Sequence, residues 1–185
     1  MSRLDLPPEA AMTPEQRAAC AEAVAGIRGR VPAPMIAWIR NPELATRGQK
    51  LGELLRYQTT LEPRLSELAI LVCARHWTSH HEWTAHKREG LKAGIDPEVI
   101  AARRAPTLGD AREQAVYDVA STLLATGRVP QPLYEQGHSA LGERGMVELV
   151  GILGYYCLVA LTLNAFELGL PGSLAPELED PEHRA

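Results

Sequence analysis

Residues 64–86 read RLSELAILVCARHWTSHHEWTAH. Every residue from Leu68 to Ala74 is apolar. A helix that is apolar all round must be covered on every side, so this one is expected at the centre of a bundle. Next, Ser79-x-x-Glu82 has capping-box spacing, which predicts a helix starting at Ser79 with Glu82 in its first turn. Glu82 and His86 then lie four residues apart on one helical face. Glu67 stands just ahead of the apolar run, with Ile70 and Leu71 one turn on.

The rest of the chain reads the same way. Strand signals are poor: β-branched runs are short and period-two alternation is nearly absent. Helix starts recur, with Thr13-Pro14-Glu15-Gln16 as a capped start and Asn41-Pro42-Glu43 and Asp96-Pro97-Glu98 repeating the cap-Pro-acid pattern. About nine helices are expected, over 14–28, 34–40, 42–57, 62–76, 79–93, 97–104, 110–126, 131–141 and 143–166. Gly94 and Gly127 suit the position that closes a helix. The fold class is all-α. Residues 1–175 form a single domain with an N-terminal helical extension, and 176–185 form a Pro-rich tail. A faint echo between Glu67-Leu-Ala-Ile-Leu and Glu148-Leu-Val-Gly-Ile hints at a weak internal duplication.

Composition excludes several classes. There are 19 Lys+Arg against 23 Asp+Glu, a net charge of −4, whereas a nucleic-acid binder shows a basic excess. With 3 Trp, 5 Tyr and 1 Phe, platforms for stacking bases are scarce. The three cysteines, Cys20, Cys73 and Cys157, are far apart and form no CxxC, which points to a reducing compartment and a cytoplasmic location. The N-terminus lacks an apolar signal-peptide core. The run from Leu149 to Leu163 is short for a membrane span and reads as a core or interface helix. Neither a nucleic acid nor a membrane is an expected partner.

Chemistry concentrates between Glu67 and His86. Beside Ile70 and Leu71, the Glu67 carboxylate is expected to be desolvated, which raises its pKa and suits proton transfer. The plainer alternative pairs it with Arg64 or a backbone donor. Glu82 one turn from His86 can orient the imidazole and raise its pKa, or Glu82 is a cap and His86 a surface residue. His76, His80, His81 and His86 invite a metal reading, but their order matches no zinc motif, and adjacent His80 and His81 point about 100° apart on a helix. No metal is expected.

Arg64-Leu-Ser-Glu67-Leu-x-Ile-Leu, Ala74-Arg75-His76-Trp77 and Glu82-Trp83-x-x-His86 together resemble the carboxymuconolactone decarboxylase family. That family belongs with alkylhydroperoxidase D in one all-helical superfamily. The resemblance runs from about residue 30 to 170 and includes the late helix with Tyr155, Tyr156 and Asn164. In the peroxidase branch the pattern is Glu, eleven residues, Cys, two residues, Cys, three residues, His. Here the same spacing gives Glu67, Ser79, Glu82 and His86, with His81 between the two replaced cysteines. A thiol peroxidase needs an attacking thiolate and a resolving thiol, which Ser79 and Glu82 are not. Cys73, inside the apolar run, is expected to be inert.

The resemblance therefore implies the decarboxylase branch: a cofactor-free acid/base lyase acting on a small carboxylated or lactone metabolite derived from an aromatic ring. It implies catalytic roles for His86 as proton donor, Glu82 as its orienting or exchanging partner, and Glu67 as the end of the relay. Ser79, His81 and Trp83 would bound the substrate pocket, and Tyr155 and Asn164 would supply neutral donors. It also implies a homo-oligomer: a dimer, trimer or hexamer. The alternatives are an alkylhydroperoxidase-like redox protein and a non-catalytic helical scaffold.

Overall fold

The structure is a computed structural model that describes residues 2–101, 106, 108–170 and 174–179. Its centre is α4 (Pro63–His76), which Pro63 opens at a position that needs no N–H donor. Residues 65–71, Cys73 and Ala74 are all buried, so the apolar run is central as expected. α4 packs against α5 (His80–Lys92), α7 (Ala111–Thr126) and α8 (Gln131–Ala165). α1 (Pro14–Ala25) lies on α3 (Pro42–Tyr57), and α3 bridges to α8. Two short helices, α2 (Met35–Trp38) and α6 (Pro97–Ala101), fill the corners. Every regular element among the described residues is helical.

Local chemistry sets the helix ends. Thr13 and Gln16 make the full capping box, Asn41 accepts from Leu44 N–H, and Asp96 from Glu98 N–H. Gly94 and Gly127 adopt the left-handed conformation that ends α5 and α7. At Gly142 (φ 72°, ψ 171°) the path of α8 breaks into the two helices expected from the sequence. α8 is long and apolar enough to cross a membrane, but it carries that break, and 56% of its most apolar stretch is buried in the bundle. α1 stops at Ala25, short of residue 28, and a 3-10 turn over Glu9–Ala11 was not expected. The expected continuation of α6 over 102–104, and tail residues 180–185, lie outside the described residues.

The core gathers Ile70, Cys73, Val116, Val119, Leu149 and Ile152 at or near zero exposure. Each such aliphatic side chain contributes roughly 1.5–3 kcal/mol on burial. One buried polar contact crosses this core, Trp38 Nε1 donating to Thr162 Oγ1 at 2.9 Å.

The junction of α4 and α5 departs from the sequence reading. Ser79 is the N-cap of α5, but its side chain makes no capping bond, so the Ser79–Glu82 box does not form. The turn is set by the preceding helix. Ser79 N–H reaches back to Ala74 O at 2.8 Å and Thr78 N–H to Arg75 O at 3.1 Å, a Schellman closure with Thr78 in the left-handed region at φ 48°. A β-branched residue there is strained. The turn reverses the chain so that α5 lies against α4.

Candidate active site

That reversal brings Glu67 and His86 together. His86 Nδ1 lies 2.6 Å from Glu67 Oε2, and both side chains are buried. The second oxygen, Glu67 Oε1, is 3.6 Å from a guanidinium nitrogen of Arg56, in the last turn of α3. Arg64 turns away to pair with Glu113, and Arg56 is the guanidinium beside Glu67 instead. Burial lowers the pKa of His86, while its hydrogen bond to Glu67 opposes that shift. A neutral ring whose Nδ1–H donates to the Glu67 carboxylate leaves Nε2 free as a base.

Glu82 occupies a different niche. It is 2% exposed, and neither carboxyl oxygen has a hydrogen-bond partner. Desolvation raises its pKa well above the ordinary carboxylate value; the neighbouring Ser79 hydroxyl opposes this without forming a bond of good geometry. Burial therefore favours the protonated form of Glu82. Glu82 does not orient His86, as the sequence reading expected; Glu67 does. An unpartnered buried carboxyl costs about 1–3 kcal/mol, a cost characteristic of functional positions.

Glu82 and His86 line a hollow of about 70 Å³ together with Tyr155, His81, Arg28 and Arg56. The loop after α1 delivers Arg28, anchored where Ile27 N–H donates to Glu53 of α3 at 3.0 Å. Arg28 Nε and Nη2 are buried without hydrogen-bond partners, as are the hydroxyls of Tyr155 and Tyr156. Tyr156 packs edge-on to the His86 ring, with centroids 5.0 Å apart. Gly52 makes room for this corner: a Cβ there would run into the Tyr155 hydroxyl and approach Arg28 Nη2 to 2.7 Å. The hollow thus combines a base, a buried carboxyl pushed toward its protonated form and two cations.

Several expected pocket residues are elsewhere. Trp83 lines a separate apolar cavity of about 190 Å³, with its ring under the Arg75 guanidinium. Asn164 is exposed and donates to Trp77 O at 2.7 Å, tying the end of α8 to the end of α4. Ser79 is fully buried beside Glu82 and does not line the hollow. His81 lines it while its Nδ1 lies 3.1 Å from Gly169 O. His76 stacks edge-on with Trp77. Among the described residues, no three His, Cys, Asp or Glu side chains are placed to hold a metal ion. The sequence reading missed Arg28, Arg56 and the Tyr156 contact. They come from three separate elements, and no local pattern marks them.

No protein-family profile and no curated protein sequence matches the chain. Solved structures do. A peroxidase-related protein of Silicibacter sp. TM1040 superposes with a TM-score of 0.74 at 18% identity, covering 93% of this chain and 92% of that one. A protein of unknown function from Agrobacterium tumefaciens, provisionally named as the antioxidant defence protein AhpD, gives 0.66 at 15% identity, over 74% and 97%. The debrominase Bmp8, as a cysteine-to-alanine variant in complex with 2,3,4-tribromopyrrole, gives 0.69 at 11% identity, over 89% and 88%. Central α4, the reversed α5 and the long covering α8 thus form the all-helical, alkylhydroperoxidase D-like fold.

Proposed function

We propose that the protein is a cofactor-free acid/base enzyme of the carboxymuconolactone decarboxylase type, acting on a small carboxylated or lactone ring-derived metabolite. The observation that carries this reading is the pairing of a buried, unpartnered carboxyl, Glu82, with a Glu67-oriented imidazole, His86, around one hollow. Arg28 and Arg56 give that hollow the positive charge a carboxylate substrate requires. Loss of carbon dioxide leaves an electron pair on the conjugated lactone, which the cations stabilise as a dienolate. Carbon is then protonated. Burial favours the protonated form of Glu82, so Glu82 takes the donor role first expected of His86; His86 Nε2 then takes a proton from solvent and passes it to the Glu82 carboxylate.

The names of the solved relatives favour a second reading, an antioxidant of the alkylhydroperoxidase kind. Against it, Ser79 and Glu82 stand at the start of α5, where that chemistry places its cysteines. The proposed assembly is a homo-oligomer. Exposed Val147, Val150, Leu158 and Leu161 form an apolar stripe along α8 that suits a second copy of the chain.

A screen of lactone and keto acids, with carbon dioxide release read beside peroxide consumption, tests the two activities together. The expected result is carbon dioxide release from a carboxylated lactone, abolished by His86→Ala and by Glu82→Gln with the fold intact. Full activity in both variants would remove the proposed site.

A further inference from the structure

Cys73 of α4 and Cys157 of α8 are 84 residues apart in sequence, yet their sulfurs lie 3.8 Å apart. The two thiols differ in environment. Cys73 is fully buried in the core, while Cys157 is half-buried on α8. Trp77 Nε1–H donates to Cys157 Sγ at 3.2 Å, and the Cys73 sulfur, whose S–H also faces Leu153 O, stands 3.8 Å from it. A donor on the sulfur favours its thiolate. The Cys73 contact and the Trp77 bond hold Cys157 down to about 6, while the Cys157 contact and burial push Cys73 up. This is the asymmetry of a nucleophile and its resolving partner.

We infer that Cys73 and Cys157 form an oxidation site at which a hydroperoxide converts the pair to a disulfide joining α4 and α8. The inference goes beyond the acid/base reading and stands without it. The Cys157 thiolate attacks one peroxide oxygen, the O–O bond breaks, and Cys157 becomes a sulfenic acid. Cys73 sulfur then attacks Cys157 sulfur and expels the sulfenic oxygen. With hydrogen peroxide, thiolate, thiol, one peroxide and one proton give the disulfide and two waters. The sulfurs lose two electrons, which reduce the peroxide. The site lies outside the α5 start, and a side-chain adjustment must bring the sulfurs into bonding range.

The test treats the reduced full chain with hydrogen peroxide without denaturant, then alkylates and maps peptides without reduction. The expected product has lost two hydrogens and links the Cys73 peptide LSELAILVCAR to the peptide beginning at Gly145. Its rate should rise through about pH 6 as Cys157 ionises. Cys73→Ala should leave a Cys157 sulfenic acid that dimedone traps, and Cys157→Ser should leave Cys73 unoxidised. Cys20 is the internal control, since burial raises its pKa. Free alkylatable Cys73 and Cys157 after treatment, faster oxidation of Cys20, or a Cys157 disulfide between two chains would each overturn the inference. The wild-type map decides even if a variant fails to fold.

Discussion

Glu67 Oε2 and His86 Nδ1 meet at 2.6 Å across the α4–α5 interface, and this contact determines which imidazole nitrogen is free to react. Glu67 also partly restores the basicity that burial takes from the ring. Glu67→Gln keeps the shape and removes the charge. The His86 pKa should then fall further, and turnover should drop on the order of 10²–10⁴-fold. Nitrogen-proton NMR of the imidazole through a pH titration reads the first effect. An unchanged or higher His86 pKa would mean that the two groups are not coupled.

Glu82 links the site to stability. Burial raises its native pKa, so the folded state holds the proton more tightly than the unfolded chain. Stability is then highest below the unfolded value, 4.5, and falls as pH rises toward the native value. Glu82→Gln removes that slope. Near pH 4 the offset between variant and parent is the baseline, and by about pH 8 the variant should have gained on the parent. Urea melts across this range measure the difference. A gap that moves in the parent's favour with rising pH would show that Glu82 ionises readily in the native state.

Gly52 makes a steric prediction. An alanine Cβ would collide with the Tyr155 ring and approach Arg28, so Gly52→Ala should destabilise by about 1–3 kcal/mol despite the helix propensity of Ala. It should also weaken binding of the carboxylated lactone proposed as substrate, by displacing Arg28. Gly154→Ala, with open space around its Cβ, is the control and should stabilise by roughly 0.5–1 kcal/mol. Thermal melts of both variants and calorimetry with the lactone test the pair.

Local chemistry made much of this legible in advance. Thr13, Asn41 and Asp96 cap helices where their neighbours in sequence require it, and Gly142 breaks α8 between the two helices expected there. Glu67, Glu82 and His86 could be singled out because they lie close together in sequence, on two helices joined by a tight turn. Arg28 and Arg56 could not. They reach the hollow through the packing of α1 and α3, which no spacing within either helix encodes. Trp83 and Asn164 failed for the related reason that periodicity gives a face but not its neighbour. Trp83 meets Arg75 and a second cavity, and Asn164 closes the end of α4. The Cys73–Cys157 contact is likewise purely tertiary.

Thr78 is where the site's geometry is bound to backbone strain. At φ 48° it holds the turn that reverses α5 onto α4, and its β-branched side chain disfavours that conformation. Glycine adopts it freely. Thr78→Gly keeps the Schellman bonds from Ser79 to Ala74 and from Thr78 to Arg75, which are backbone contacts. The substitution should therefore stabilise by about 1 kcal/mol, raising Tm by roughly 2–4 °C in a chain of this size. The His86 imidazole resonances should stay in place, because Glu67 and His86 keep their separation. If Tm falls, or those resonances move, the Thr78 side chain itself is holding the α4–α5 junction, and the strain is balanced by a contact that glycine lacks.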